Sequence, residues 1–535
     1  MTAPAEVVLG LDVGTTAVKV VAFPIGGESG PLATALREYP LQQPEPGWQV
    51  QDPPTVLAAL DAATRECVAL LGDARVLAVS VSTAMHGLIG LDARLRPLTP
   101  LVTWADSRAG EEARELRRSG QALDLLRRTG TPVHPMSPLV KLIWFSRHAP
   151  ELARRVRWWV GLKDYVLHHL TGELVTELSS ASATGLLDVQ TRDWDLAAVR
   201  LCGIEPGQLP AVLPTTTVLR LSAPAAGRTA LPEGLPVAVG AADGPLGNLG
   251  TGAIEPGVAG LSLGTSGAVR MAVPRPSFDP AGRLFCYALT DDLWLSGGAV
   301  SNGGIILRWA GEAFAPDLLA DGHADPELLA LAARVPVGSE GLVMLPYVLS
   351  ERAPLWDPDI PGAFLGVRHH HTRNHFIRAA VEGVCLQVSA IVNALESVSP
   401  VRSVRATGGA FRSELWQQAM AGMLARPLSI MGGSGGSGGV GPAGRAGGAG
   451  GAAGAGGTAL GAAALGWYAL GGAPDLAAAL AAVGGDDEDF AQPVRVSADD
   501  LGTYARLRAG VPALITAYDQ VAQMLLTTPR SGDAG

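Results

Sequence analysis

Cysteine is scarce in this chain: Cys67, Cys202, Cys286 and Cys385 are scattered, with no Cys-x-x-Cys pair. That points away from a disulfide framework and from a zinc site. Also missing is any run rich in lysine and arginine, and the formal charge is −10, which argues against a nucleic-acid surface. No basic segment followed by a long apolar one stands at the N-terminus, so no secretory signal is expected. The apolar residues from Thr458 to Leu470 are mostly Ala and Gly and too short to span a bilayer. The expectation is a soluble, cytoplasmic protein with small-molecule partners, no nucleic acid and no membrane. At 535 residues, with 47% hydrophobic and 17% charged residues, the chain is too long for one core and fits two large domains.

The most informative stretch present is Val237 to Val273. It runs from an apolar strand into Gly-Ala-Ala-Asp-Gly, through a small-residue segment, and into a second apolar strand broken by Gly264-Thr265-Ser266-Gly267. A carboxylate in a glycine-rich turn at a strand end, here Asp243, can sit bare in a cleft. A Gly-Thr-Ser turn offers backbone N–H groups and hydroxyls to a phosphate. Near the N-terminus, LGLDVGTTAVKVVAF (Leu9 to Phe23) repeats the pattern, with Gly14-Thr15-Thr16 falling on Gly264-Thr265-Ser266 at a constant offset of 250 positions. Such a long period points to two related domains on one plan. Two Gly-Thr hairpins, one from each, would clamp a polyphosphate in a cleft between them. The first copy carries Asp12 where the second has Ser262, and a carboxylate there suits Mg²⁺ held through water.

Other segments carry weaker signals. Asp52 precedes an expected helix from Pro54 to Leu71 as its cap, and Lys19 reads as a solvated strand residue. His86 follows a strand over Val76 to Val81, where open α/β sheets place ligand contacts, though a lone histidine is more often a satisfied core or surface group. Trp104-Ala105-Asp106-Ser107-Arg108 reads as a polyol grip or as an ordinary buried Asp–Arg pair. Gly303 and Gly304 open an apolar helix. Thr407-Gly408-Gly409-Ala410 lies between a strand and a helix from Ser413, a turn suited to a nucleotide. His369-His370-His371 lacks a second ligand cluster and reads as an exposed loop. Met431 to Gly457 is almost entirely Gly, Ala and Ser and is expected to be a flexible insertion.

These motifs, in this order, resemble the FGGY family of carbohydrate kinases from Leu9 to about Leu470: DVGTT at Asp12, LGTSG at Leu263, TGGAFRS at Thr407 and TALGAAALG at Thr458. The resemblance implies an α/β fold of two actin-like, ribonuclease H-like domains with a central interdomain cleft. The expected division is 1–245 and 246–500, with the insertion 431–457 inside the second, followed by a C-terminal helix and tail, 501–535. It implies ATP and Mg²⁺ as cofactors, with Asp243 as catalytic base and Asp12 toward the metal. Gly14, Thr15, Thr16, Gly264, Thr265, Ser266, Gly304, Gly409 and Ser413 would face the nucleotide. Met85, His86, Trp104, Asp106 and Asp243 would line the sugar site, with Met136 at its rim. The segments STAMHGLIGLD, PLTPLVTWADSRA, TGTPVHPMSPLVKLIW and SSASATGLLDV are similar to those of the branch that phosphorylates gluconate. Xylulose or another ketose or polyol is the alternative substrate, and a non-catalytic actin-like nucleotide switch the remote one. Dimers are common in the family, which leaves a homodimer open. The insertion departs from the short connection usual there and bears on ATP recognition.

Overall fold

A computed structural model describes residues 4–26, 30–319, 325–431, 455–485, 490 and 492–527. The insertion expected at 431–457 falls outside these residues over 432–454. The principal strands are β1 (Glu6–Val13), β2 (Ala17–Pro24), β3 (Ala33–Glu38), β4 (Arg75–Thr83), β5 (Val218–Arg220), β6 (Pro236–Ala242), β7 (Val258–Leu263), β8 (Gly267–Val273), β9 (Trp294–Val300), β10 (Ser403–Thr407) and β11 (Leu428–Ile430). The helices that matter below are α1 (Pro53–Leu70), α2 (Leu162–Thr171), α3 (Leu178–Ser182), α4 (Asp243–Gly250), α5 (Ile305–Phe314), α6 (Arg373–Leu395), α7 (Glu414–Leu424), α8 (Ala455–Ala469) and α9 (Ala498–Thr527). The chain forms two compact units, one of residues 1–256, 272–296 and 455–489, the other of residues 257–271, 297–454 and 490–535.

The first unit is built on the sheet β5-β6-β4-β1-β2-β3. β1 and β2 form an antiparallel hairpin with Asp12 opposite Lys19, and β4 runs parallel to β1 with Asp12 opposite Ser82. Both faces of β1 are covered, which is why it reads as a continuous apolar run rather than an alternating one. Val7, Leu9, Leu11 and Val13 enter one core with Val56 and Leu60 of α1. Val8 enters the other with Ala459, Ala462 and Leu465 of α8. α1 begins where its cap was expected, Asp52 Oδ2 accepting from Thr55 N at 3.1 Å.

The second unit repeats this plan. β7 and β8 form an antiparallel hairpin, and β10 runs parallel to β7 with Ser262 opposite Thr407, the position that Asp12 and Ser82 occupy in the first sheet. The sheet runs from an edge strand, Phe285–Ala288, through β9-β8-β7-β10-β11; the order of these last five corresponds to β3-β2-β1-β4-β6, while the sixth strand of each sheet, Phe285–Ala288 here and β5 in the first, lies at opposite ends. The repeat seen in sequence is therefore a repeat of topology. α6 is long and apolar enough to cross a membrane, but 83% of its most apolar window is buried inside the fold; it is a core helix.

Two assignments differ from the sequence reading. The small-residue segment after Asp243 is the helix α4. And α8, expected in the second domain with the rest of 246–500, packs on β1, β4 and β6 and against α4 within the first unit. Glycine permits this close approach. A Cβ at Gly10 would lie 2.1 Å from the Ala459 carbonyl oxygen, and one at Gly461 would lie 2.0 Å from that of Leu246. Sequence-local composition could not show which sheet α8 joins, because the partners are more than 200 positions away. Gly461→Ala is expected to lower stability by about 1–3 kcal/mol through overpacking, read as a shift of the denaturant midpoint. An unchanged midpoint would refute the close α4–α8 contact.

Candidate functional site

In the first unit, three parallel strands end at one edge. β1 delivers Asp12, β4 delivers Ser82 and runs on to Met85 and His86, and β6 delivers Asp243 as the first residue of α4. Asp12 accepts from Ser82 Oγ at 3.4 Å, and Asp243 Oδ1 accepts from Gly244 N at 2.8 Å. The Asp12 carboxyl is pushed up to about 7, first by burial and then by the charge of Asp243, against the opposing pull of Lys19 and Lys163. Lys19 is half-buried across the hairpin, its amine pushed down by burial while Asp12 pulls it up, so it is not the solvated residue the sequence suggested.

The first Gly-Thr turn is held from outside. Tyr39 OH donates to the Gly14 carbonyl, Gln51 Nε2 to the Thr15 carbonyl, and Trp104 Nε1 to Thr15 Oγ1 at 2.9 Å. Thr16 is exposed at the tip. Thr15, Gln51, Met85, Gly87, Thr103 and Trp104 line one recess, so the phosphate-type turn and the segments expected to meet a sugar share a wall. His86 has a left-handed backbone, φ 65°. It is buried, with Nδ1 2.8 Å from the Ala183 carbonyl and its ring edge-on to Tyr287.

Asp106 and Met136 are placed differently. Asp106 accepts at Oδ1 from Arg108 N and Nε, and at Oδ2 from Arg108 Nη2 and Gln49 N. Its side chain is 0% exposed and that of Arg108 3%, while the Arg108 guanidinium lies 3.6 Å from the Trp48 ring centroid. This is the buried Asp–Arg pair, with both carboxylate oxygens engaged, and not an open polyol grip. Met136 is buried at 2% exposure rather than lying on a rim.

In the second unit, the other expected residues cluster around the second turn. Gly264 N donates to Ser266 O at 2.9 Å, Gly304 N to Gly264 O at 2.7 Å, and Ile305 N to Thr265 O at 3.2 Å. The start of α5 is thus stitched to the hairpin, and a Cβ at Gly303 would collide with it at 2.9 Å. Gly408, at φ 119°, abuts the end of β7, where a Cβ would meet Leu263 O at 2.2 Å. Gly409 has open space beside it. Ser413 precedes α7 without capping it through its side chain. The run 369–371 is largely exposed, and among the described residues no group of three His, Cys, Asp or Glu is set to hold a metal ion. Asp12 nonetheless fits a hydrated Mg²⁺, which takes one or two carboxylates and keeps its waters. Its carboxyl is raised by burial and then by a second carboxylate, and a divalent cation would favour the charged form of both.

Several residues in these arrangements carried no sequence signal. Tyr39 and Gln51 grip the first turn. Lys141 is buried and donates to the carbonyls of His86 and Thr103 at 2.8 and 2.7 Å. Lys163 is buried beneath the strand ends. Lysines in apolar-periodic helices read as solvated, and only the strands packed above them reveal otherwise.

Comparison with known proteins shows the family and the fold. The FGGY family of carbohydrate kinases matches through its N-terminal domain over residues 7–250 and its C-terminal domain over 259–449. A gluconokinase of Bacillus subtilis is 39% identical over 424 residues, covering 77% of this chain and 82% of that protein. A xylulose kinase of Escherichia coli is 31% identical over 434 residues, covering 79% and 86%. The crystal structure of gluconate kinase from Lactobacillus acidophilus superposes with a TM-score of 0.85 at 30% identity, covering 97% of this chain and 98% of that one.

Beside the start of α5, Glu351 is fully buried, accepting from Asn302 Nδ2 at 3.1 Å and from Gln387 Nε2. Its carboxyl is raised from 4.5 to about 8, by burial above all. A carboxyl raised in the folded state stabilises the fold below its unfolded value, and that contribution is lost as pH rises through the folded one. Stability of the parent is therefore expected to fall between pH 4.5 and about 8 through this group. Glu351→Gln should flatten that fall in denaturant titrations across the range. An identical pH slope in both proteins would refute the assignment.

Proposed function

The chain belongs to the FGGY family of carbohydrate kinases, and from that premise we propose that it transfers the γ-phosphoryl of ATP to the terminal hydroxyl of D-gluconate, giving 6-phosphogluconate. The observation that carries the reading is the pair of carboxylates, Asp12 and Asp243, brought within electrostatic reach of each other at one sheet edge. The substrate follows the similarity to gluconokinases. The similarity to xylulose kinases keeps a ketose as the second reading.

Phosphoryl transfer asks a protein mainly for positioning and charge neutralisation. In this reading Asp243 accepts the proton of the attacking hydroxyl as its oxygen bonds to the γ-phosphorus. The bridging oxygen then leaves with ADP. Asp243 needs hydrogen-bond reach of that hydroxyl more than a shifted pKa. Thr15, Thr16, Thr265 and Ser266 supply backbone N–H groups and hydroxyls to phosphates, on turns that Gly14 N and Gly264 N close by donating to Ala17 O and Ser266 O, with Gly304, Gly409 and Ser413 toward the rest of the nucleotide. Asp12 would hold Mg²⁺ through water, and the ion supplies positive charge to the phosphate oxygens. Met85, His86 and Trp104 face the sugar. Asp106 and Met136 shape the segments that carry these groups. The Trp104–Thr15 hydrogen bond joins acceptor and phosphate regions through a single contact.

The test is ADP release from MgATP across gluconate, xylulose, ribulose, glycerol and no sugar. Strong stimulation by gluconate alone is expected. Stimulation by a ketose instead would discard the substrate while keeping the reaction, and slow release indifferent to every sugar would favour a nucleotide switch. Asp243→Asn is expected to abolish turnover while sugar binding, followed by calorimetry, persists. Loss of binding in a folded variant would argue against the role of base.

A further inference from the structure

β6 does not pair evenly with β4. Ala238 lies opposite Ser80 and Ala241 opposite Ser82, so Val239 and Gly240 together face Val81. This is a β-bulge, one extra residue on β6. Gly240 takes φ 72°, and a Cβ there would lie 2.1 Å from Val81 O, so only glycine fits. A bulge leaves ladder carbonyls without strand partners, and buried carbonyls left alone are costly. Here one side chain satisfies them. Lys163 Nζ, from α2, donates to Val81 O, to Val239 O at 2.8 Å and to Ala241 O at 3.0 Å. The three donors of the ammonium are matched to three carbonyls.

The Lys163 side chain is 1% exposed, and its charge is balanced by Glu177 at 3.9 Å, which is 0% exposed. Glu177 in turn caps α3, accepting from Ser179 N at 2.5 Å and Ser180 N at 3.0 Å. Ser179 closes the circuit: its Oγ accepts from Ala242 N at 3.2 Å. Ala241 and Ala242 are the two residues immediately before Asp243. Both ends of this buried ion pair therefore converge on the peptide units that set where Asp243 points. A buried ion pair seldom adds stability over an apolar substitute, so its cost is better explained by geometry it enforces.

We infer that Lys163, acting with Glu177 and Ser179 on the β6 bulge, is a positioning residue for Asp243. The inference rests on Asp243 being the base proposed above. Lys163 does not touch the reacting atoms; it holds the carboxylate within reach of the acceptor hydroxyl. A misplacement of the order of 1 Å at a reacting group costs about a hundredfold in rate.

The experiment compares the full-length parent with Lys163→Met, Ser179→Ala and Asp243→Asn. It measures kcat, KM for MgATP, and KM and calorimetric Kd for the sugar that best stimulates the parent. Ser179→Ala removes a single hydrogen bond and carries the test should Lys163→Met fail to fold. The expected result is a kcat lowered about ten- to hundredfold in the folded variants, with both KM values and the sugar Kd within about threefold of the parent. Unchanged kcat in the folded variants, while Asp243→Asn is inactive, overturns the inference and leaves the base standing. Parallel loss of kcat and sugar binding also overturns it, since that marks a structural role. Full activity of Asp243→Asn removes the base assignment, and the inference with it.

Discussion

Two like charges held near one another at a strand edge are the constraint around which the first unit is built. Asp12 registers the repulsion directly, its carboxyl pushed up to about 7 by burial and by Asp243. Burial and a neighbouring carboxylate both disfavour the charged form of Asp12, and the backbone beneath holds it in place. β1, β4 and β6 are pinned from below by α8, whose backbone touches the sheet and α4 where glycines leave no room for movement. Lys163 and Lys19 supply positive charge nearby without neutralising the site.

The second unit shows what the same topology does when the constraint is absent. At the position of Asp12 stands Ser262, and no carboxylate has to be restrained. There the Gly-Thr-Ser turn is tied by main-chain hydrogen bonds from Gly304 and Ile305, whereas the first turn is gripped by the side chains of Tyr39, Gln51 and Trp104. Side-chain restraint can respond to what binds beside it; main-chain stitching is a fixed cradle. The first turn carries both kinds of restraint, since Tyr39 N also donates to Thr16 O at 2.9 Å, and on the reading proposed the two hairpins separate an acceptor-facing half from a nucleotide-facing one.

What could be read from the sequence was what is local or periodic. The Gly-Thr hairpins, the Asp52 cap and the 250-residue repeat all declare themselves within a few residues or at a fixed offset. The site followed from them in part, since Asp12, Thr15, Trp104 and Asp243 sit in turns and strand ends with telling neighbours. Three things could not be read. A one-residue bulge at Gly240 leaves no trace in an apolar run. A lysine at the start of a helix looks solvated in sequence until what packs over it is known: strand carbonyls over Lys163 and the segments carrying His86 and Thr103 over Lys141. And Asp106 beside Arg108 gives the same string whether the pair closes on itself or opens to a ligand; only Gln49 N and the Trp48 ring, both distant in sequence from the motif, decide that it closes.

That closure bears on how acceptors are told apart. The segment carrying Trp104 is anchored by charges whose hydrogen bonds are completed internally: Asp106 by Arg108 and Gln49, and the loop carbonyls of His86 and Thr103 by Lys141. With both oxygens accepting twice, Asp106 has little left to offer a hydroxyl. These anchors fix a frame, and on the reading proposed discrimination falls to the few partly open side chains mounted on it, Met85 and Trp104 among them. A common frame with a small variable lining is consistent with one chain being similar both to gluconokinases and to xylulose kinases over more than three quarters of its length. It also locates the cost of changing substrate: altering the lining leaves the buried charges paired, whereas altering the anchors strands a charge in the core, at about 3–5 kcal/mol. Substrate choice can therefore drift where the frame cannot.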